Sequence, residues 1–114
     1  MPGARLVMLS AIGLAYASLS FAAGDPGRGA AIFNGTCIAC HGSDGSGNLP
    51  GVPDLTGNKG LLSQDDAVLL KRMAEGFQSP GAPMAMPPRG GDPGLTDADL
   101  KAVLKFMRKE FQQD

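Results

Sequence analysis

The chain has no tryptophan, one tyrosine, one histidine and two cysteines in 114 residues. With only 5% aromatic residues, it has little bulky material for a core. A domain of this size buries only about 60–65% of its unfolded surface even with large side chains. Two cysteines permit one disulfide at most, which excludes the multi-bridge frameworks that hold many small exported domains together. A single histidine leaves no spare imidazole for acid–base catalysis. Charge of one sign is also lacking: ten basic and eleven acidic residues give a net charge of −1. That balance offers no concentrated basic face, so nucleic acid is not an expected partner. Nor does any segment alternate β-branched and polar residues as a half-buried strand does. Something other than side chains has to complete this core.

The chain opens with "MPGAR", then an uncharged, mostly apolar run from Leu6 to Ala22 ending in Ser20-Phe21-Ala22. A basic start, a short apolar stretch and small residues before a cut describe a secretory signal. Residues 1–22 are therefore expected to be removed, with cleavage after Ala22 or, shifted slightly, at Gly24. The run falls short of the ~20 apolar residues of a spanning helix. An uncleaved anchor is the alternative, and both readings place residues 23–114 outside the cytoplasm as one domain.

What remains is rich in glycine and proline, 17 and 9 in the whole chain. Three helices can be read between the resulting loops. The first is expected to start at Asp25-Pro26, a capping residue before a first-turn proline, and to end near Asn34-Gly35. The second is expected to be capped by Ser63 with Asp66 three residues on, to bury Val68, Leu69, Leu70 and Met73, and to stop at Gly76. The third is capped by Thr96, with Asp97 and Asp99 in its first turn and basic residues near its end. Its apolar residues Leu100, Val103, Leu104, Met107 and Phe111 recur at helical spacing, with Phe106 on the flank. The fold class read here is all-α.

Both cysteines and the histidine lie in "CIACH", Cys37 to His41. Three chemistries compete for that cluster. A redox disulfide usually sits after a strand in a βαβ unit, for which the chain offers no strand. A structural zinc site needs four ligands, and no second histidine or C-x-x-C supplies the fourth. Covalent haem needs what is present. In a helical turn, cysteines three apart lie on one side and can both form thioethers, while the next residue, His41, can ligate the iron. C-x-x-C-H reads as c-type haem attachment for this reason, and a large flat apolar group would supply the missing core.

At this point the chain resembles the small class I c-type cytochromes, in particular their short bacterial, cytochrome c5-like form. "CIACH" matches the attachment motif, "VPDLTG" the loop after it, and "AMPPRGG" followed by "LTDADLKAVLKFM" the distal loop and last helix. The resemblance implies a cytochrome c fold wrapped around one covalent haem c. Cys37 and Cys40 would carry the thioethers and His41 would be the proximal iron ligand. The Pro53 carbonyl would orient that imidazole, and Leu55 would pack on the ring. For the sixth ligand, Met73 and Met107 read as core filling, whereas Met84 and Met86 share the proline-rich loop. The family places its methionine immediately before Pro-Pro, which selects Met86 over Met84. Gly29 and Phe33 would cross the last helix at Leu100, Val103 and Phe106.

A haem with histidine and methionine ligands has no open position and a raised potential. The resemblance therefore implies a monomeric periplasmic one-electron carrier rather than an enzyme. Its partners would be redox proteins: a dehydrogenase, a cytochrome complex or a terminal oxidase. The alternatives are a cytochrome subunit bound within such a complex, and a haem enzyme or gas sensor whose methionine detaches. The attachment motif and the distal loop carry no formal charge, so a haem edge bordered by Ile38, Ala39, Ala82 and Ala85 would be uncharged.

Overall fold

The computed structural model describes residues 3, 4, 8, 10–15 and 26–113. The expected cleavage after Ala22 and the expected cap at Asp25 lie outside them. Four α-helices follow one another: α1 Pro26–Ile32, α2 Ile38–His41, α3 Asp66–Glu75 and α4 Asp97–Phe111. Short 3₁₀ turns at Leu61–Ser63 and Pro88–Gly91 precede α3 and α4. Among the described residues no strand forms, and none of the helices is long and apolar enough to cross a membrane.

The first helix departs from expectation. It does not end at Asn34-Gly35 but runs through a π-helical turn, Phe33–Cys37, directly into α2. A π turn holds one residue more than an α turn and swings everything after it around the axis by about 100°. Gly29 and Phe33 can thus face α4 while the attachment motif turns towards another surface. Gly42, at φ 79°, ends the helix.

The crossing of α1 and α4 forms the centre of the fold. Gly29 is buried, and a Cβ there would run into the carbonyl oxygen of Ala102. Ala102 itself has no exposed surface; it, more than Leu100 or Val103, is the residue that Gly29 meets. Phe33 sits between Phe106 and Phe111, ring centroids 5.5 and 5.2 Å away. Leu100, Val103, Leu104, Met107 and Phe111 are all buried, as their spacing predicts, and Phe106 is half-buried beside them. Thr96 and Asp99 exchange side-chain and backbone hydrogen bonds across the first turn of α4, a complete capping box.

At α3 two expectations need correction. Ser63 does not cap the helix; it closes the 3₁₀ turn, its hydroxyl donating to the Gly60 carbonyl at 2.6 Å. Asp65 precedes α3 instead, without a side-chain bond to the helix. Leu69 and Met73 are buried and Leu70 is half-buried, but Val68 is exposed, because one face of a ten-residue helix is enough to meet α4. Gly76 ends α3 at φ 81° as expected.

Candidate functional site

A cavity of about 420 Å³ opens between these elements. Its near wall is the end of the first helical stretch, with Thr36, Cys37, Cys40 and His41. The loop carrying Val52, Pro53 and Leu55 forms one side, and buried Leu62, Leu69, Val103 and Leu104 form the floor. The far wall is the segment from Phe77 to Pro87. The lining is mostly apolar, and Arg72 is the one cation among the lining residues.

Cys37 and Cys40 form no disulfide with each other and are half-buried. Burial pushes the Cys37 thiol up to about 11, with a smaller contribution from Cys40 beside it. His41 ends α2, and burial lowers its pKa. It is therefore held as neutral imidazole, the form that binds metal. Its Nδ1 is buried with no hydrogen-bond partner. The expected bond to the Pro53 carbonyl is thus not formed; Pro53 lines the cavity and shapes its wall. Instead the loop is tied back through main-chain bonds, Gly47 N–H to the His41 carbonyl and Asn48 N–H to the Cys40 carbonyl, both 2.8 Å. Leu55 is buried against the cavity, its N–H donating to the Gly45 carbonyl at 2.8 Å.

All four methionines of residues 26–113 reach this space. Met73 and Met107 are buried on α3 and α4 and serve as floor as well as core. The two loop methionines differ. Met84 is 46% exposed, whereas Met86 is half-buried and packed against the core. The Met86 backbone is also fixed: its N–H donates to the Phe77 carbonyl at 2.7 Å and its carbonyl accepts from Phe77 N–H at 3.1 Å. That isolated bridge needs Gly76, since a Cβ there would lie 2.6 Å from the Met86 oxygen. Proline-driven extension predicted the loop; the bridge that anchors it has no sequence signal.

Two arginines have roles that the sequence does not show. Arg72 on α3 lies over the Phe77 ring, 4.1 Å from its centroid, at the cavity wall. Arg108 on α4 donates to the carbonyls of Leu62 at 3.2 Å and Gln64 at 2.9 Å and pairs with Asp66. It therefore clamps the cavity floor onto α4.

These residues fit a covalently held porphyrin. The space is mostly apolar, its wall carries two thiols three residues apart, a buried imidazole nitrogen is unsatisfied, and a methionine with an anchored backbone, Met86, lines the same space. Among the described residues no group of three or more acidic, cysteine or histidine side chains converges as around a bare metal ion. The sequence pattern of the family described as cytochrome c matches residues 27–110. The chain belongs to the cytochrome c family. It is accordingly all-α, carries covalently bound haem c and belongs to electron-transfer chemistry.

Its relatives are of two kinds. Cytochrome c-554(548) of Halomonas halodenitrificans is 33% identical over 76 residues, covering 67% of this chain and 86% of that protein. Lupanine 17-hydroxylase [cytochrome c] of a Pseudomonas species is 39% identical over 77 residues, which are 67% of this chain but only 10% of that protein. The cytochrome c subunit of the quinone alcohol dehydrogenase of Gluconobacter oxydans is 33% identical over 89 residues, 75% of this chain and 19% of that subunit. The chain therefore spans most of one small cytochrome and a small fraction of two larger proteins.

Proposed function

We propose that this cytochrome is a one-electron carrier of the periplasm, with His41 and Met86 as axial ligands of a single haem. Bound haem supplies a ferric/ferrous couple. The protein's part is to hold donors in place and keep water away. Burial keeps His41 neutral and able to donate, and the bridge to Phe77 keeps Met86 from wandering when the charge at the site changes. Cys37 and Cys40 would hold the porphyrin edge, Leu55 and the α4 leucine and valine its face, and Arg72, the one cation of the lining, would be available to its carboxylates. A soft sulfur ligand favours the reduced state and so a raised potential. The observation that carries the reading is the difference between the two loop methionines: Met86 is fixed and packed, Met84 is exposed.

The protein as a free carrier is supported by its match to most of the Halomonas cytochrome, 86% of that protein's length. A second reading, a haem subunit within a dehydrogenase or oxidase, draws on the larger relatives. Size-exclusion chromatography of native extract decides between them: elution as a single small species supports the carrier, and co-elution with a large oxidoreductase supports the subunit. A high-spin ferric spectrum would instead favour a haem enzyme or sensor with an open sixth position.

A further inference from the structure

Met86 is followed by Pro87, Pro88 and Arg89, and Arg89 is the one non-glycine residue with positive φ among the described residues, at φ 54° and ψ 30°. L-residues with a Cβ avoid this region, and glycine enters it freely. Gly90 and Gly91 follow in the same region, at φ 66° and 90°. A glycine at 89 would therefore make the turn without strain, and nothing in the turn itself calls for an arginine. What the side chain adds is reach. Its Nη1 donates to the Leu95 carbonyl at 2.8 Å and its Nη2 to the Asp97 carboxylate at 2.7 Å. Leu95 is buried just before α4, and Asp97 is the first residue of the helix.

We propose that Arg89 is a positioning residue for Met86: a latch that fixes the distal loop to the start of α4 and so limits how often the sulfur leaves the iron. This rests on the reading of Met86 as ligand. The loop is held at Met86 itself by the bridge to Phe77 and continues into a stiff Pro-Pro pair, which transmits displacement rather than absorbing it. The guanidinium closes the far end. Since α4 packs on α1 and α1 leads into the attachment motif, the latch joins both sides of the cavity to one pair of helices. Gly90 reinforces the connection, for a Cβ there would come 3.0 Å from the Thr36 side chain, next to Cys37. The Asp97 contact alone holds little, because that carboxylate is 80% exposed; the two-pronged geometry with the Leu95 carbonyl gives the latch its direction.

The test uses the full-length ferric holoprotein and imidazole as a competing ligand. At saturating imidazole, the rate of displacement equals the rate at which methionine leaves. Arg89→Gly should raise that rate about tenfold, the scale of a lost charged hydrogen bond, while its urea midpoint stays equal to wild type or rises as strain is released. Asp97→Asn, which leaves the Thr96–Asp99 cap intact, should raise it about twofold, as an exposed pair allows. Unchanged rates in both variants overturn the latch, as does a faster rate in Arg89→Gly accompanied by a lower urea midpoint, which would mean general loosening. The near-infrared band of methionine-ligated ferric haem separates the two ideas. If wild type lacks it, or Met86→Ala keeps it, the ligand assignment and the latch fall together; if the band behaves as expected and the rates do not, the latch alone falls.

Discussion

Arg28 on α1 donates its Nε–H to the carboxylate of Asp99 on α4 at 3.1 Å, beside the glycine–alanine crossing of the two helices. Asp99 is only 7% exposed and also accepts from the Thr96 N–H at 3.0 Å, so one carboxylate caps α4 and ties it to α1. The Arg28 bond foremost, and the Thr96 backbone next, hold the Asp99 pKa below the usual carboxylate value. A carboxylate depressed by folding stabilises the native state above its unfolded pKa, and that stabilisation is lost as pH falls through the folded value. The stability difference between wild type and Asp99→Ala should therefore be constant from neutral pH to about 5 and shrink below about 4, where an unfolded aspartate begins to take up its proton. Urea midpoints of the two holoproteins across that range measure it. A difference that persists unchanged at pH 3 would show that the cap's geometry, not its charge, matters.

The ligand assignment makes a contrast between neighbours two residues apart. Met86→Ala should abolish the near-infrared band of the ferric protein and lower the reduction potential, because the iron loses its soft sulfur donor. Met84→Ala should leave both nearly unchanged, as Met84 is exposed at the same cavity without a comparable anchor. Redox titration with optical spectra on both variants provides the comparison. The reverse pattern would transfer the role to Met84 and leave the family membership untouched.

Attachment should also decide whether the chain folds. Without haem the mostly apolar lining of this cavity loses the large flat group it would bury, and the helices around it lose their common packing partner. Small domains have only about 5–15 kcal/mol of stability in total. Cys37→Ala with Cys40→Ala should accordingly yield little stable protein, and what is recovered should unfold without cooperativity. Circular dichroism during a urea titration is the measurement; a sharp transition in the double variant would mean that the helices collapse onto one another and close the space.

The parts of this architecture legible in sequence are those decided locally. The α4 stripe and its Thr96–Asp99 box lie within one helix, and Cys37, Cys40 and His41 identify themselves by adjacency. Gly29 was recognisable as a point of close approach, although its partner, Ala102, was not, because a small residue opposite a glycine leaves no hydrophobic mark. The rest depends on chain segments far apart in sequence. The π turn at Phe33–Cys37 accommodates two separate packing demands, one from α4 and one from the cavity. Ser63 looked like a cap because its sequence neighbours suit one, but Gly60 claims its hydroxyl first. Arg108 meets Leu62 and Gln64 more than forty residues away, and no periodicity announces such a clamp.

Partner encounter is where the uncharged loops matter. No residue from Gly29 to Ser43 or from Gly76 to Pro88 carries a formal charge. At the cavity mouth Met84 is 46% and Phe77 38% exposed, and Ala85 is exposed beside them. Ile38, expected at this rim, is half-buried against the core and does not line the cavity, so Ala85 is the better position at which to perturb it. Arg72 reaches the cavity wall but lies over the Phe77 ring. A charged docking surface would draw its partner by long-range attraction, and its association rate would fall steeply with salt. Without residues 1–22, nine basic residues face eleven acidic ones, a net charge near −2, and Arg72 is the one cation of the cavity lining, so little such attraction is supplied. Electron-transfer rates with the native donor should thus change by no more than about twofold between low and physiological ionic strength, where screening shortens to about 8 Å. Ala85→Lys should slow transfer more than Lys105→Glu, since a lysine at the mouth must be desolvated in the complex, whereas Lys105 is exposed on α4 and does not line the cavity. Stopped-flow rates for wild type and both variants over a salt series test this. A steep salt dependence, or a larger loss at Lys105, would place docking on a charged face away from the cavity mouth.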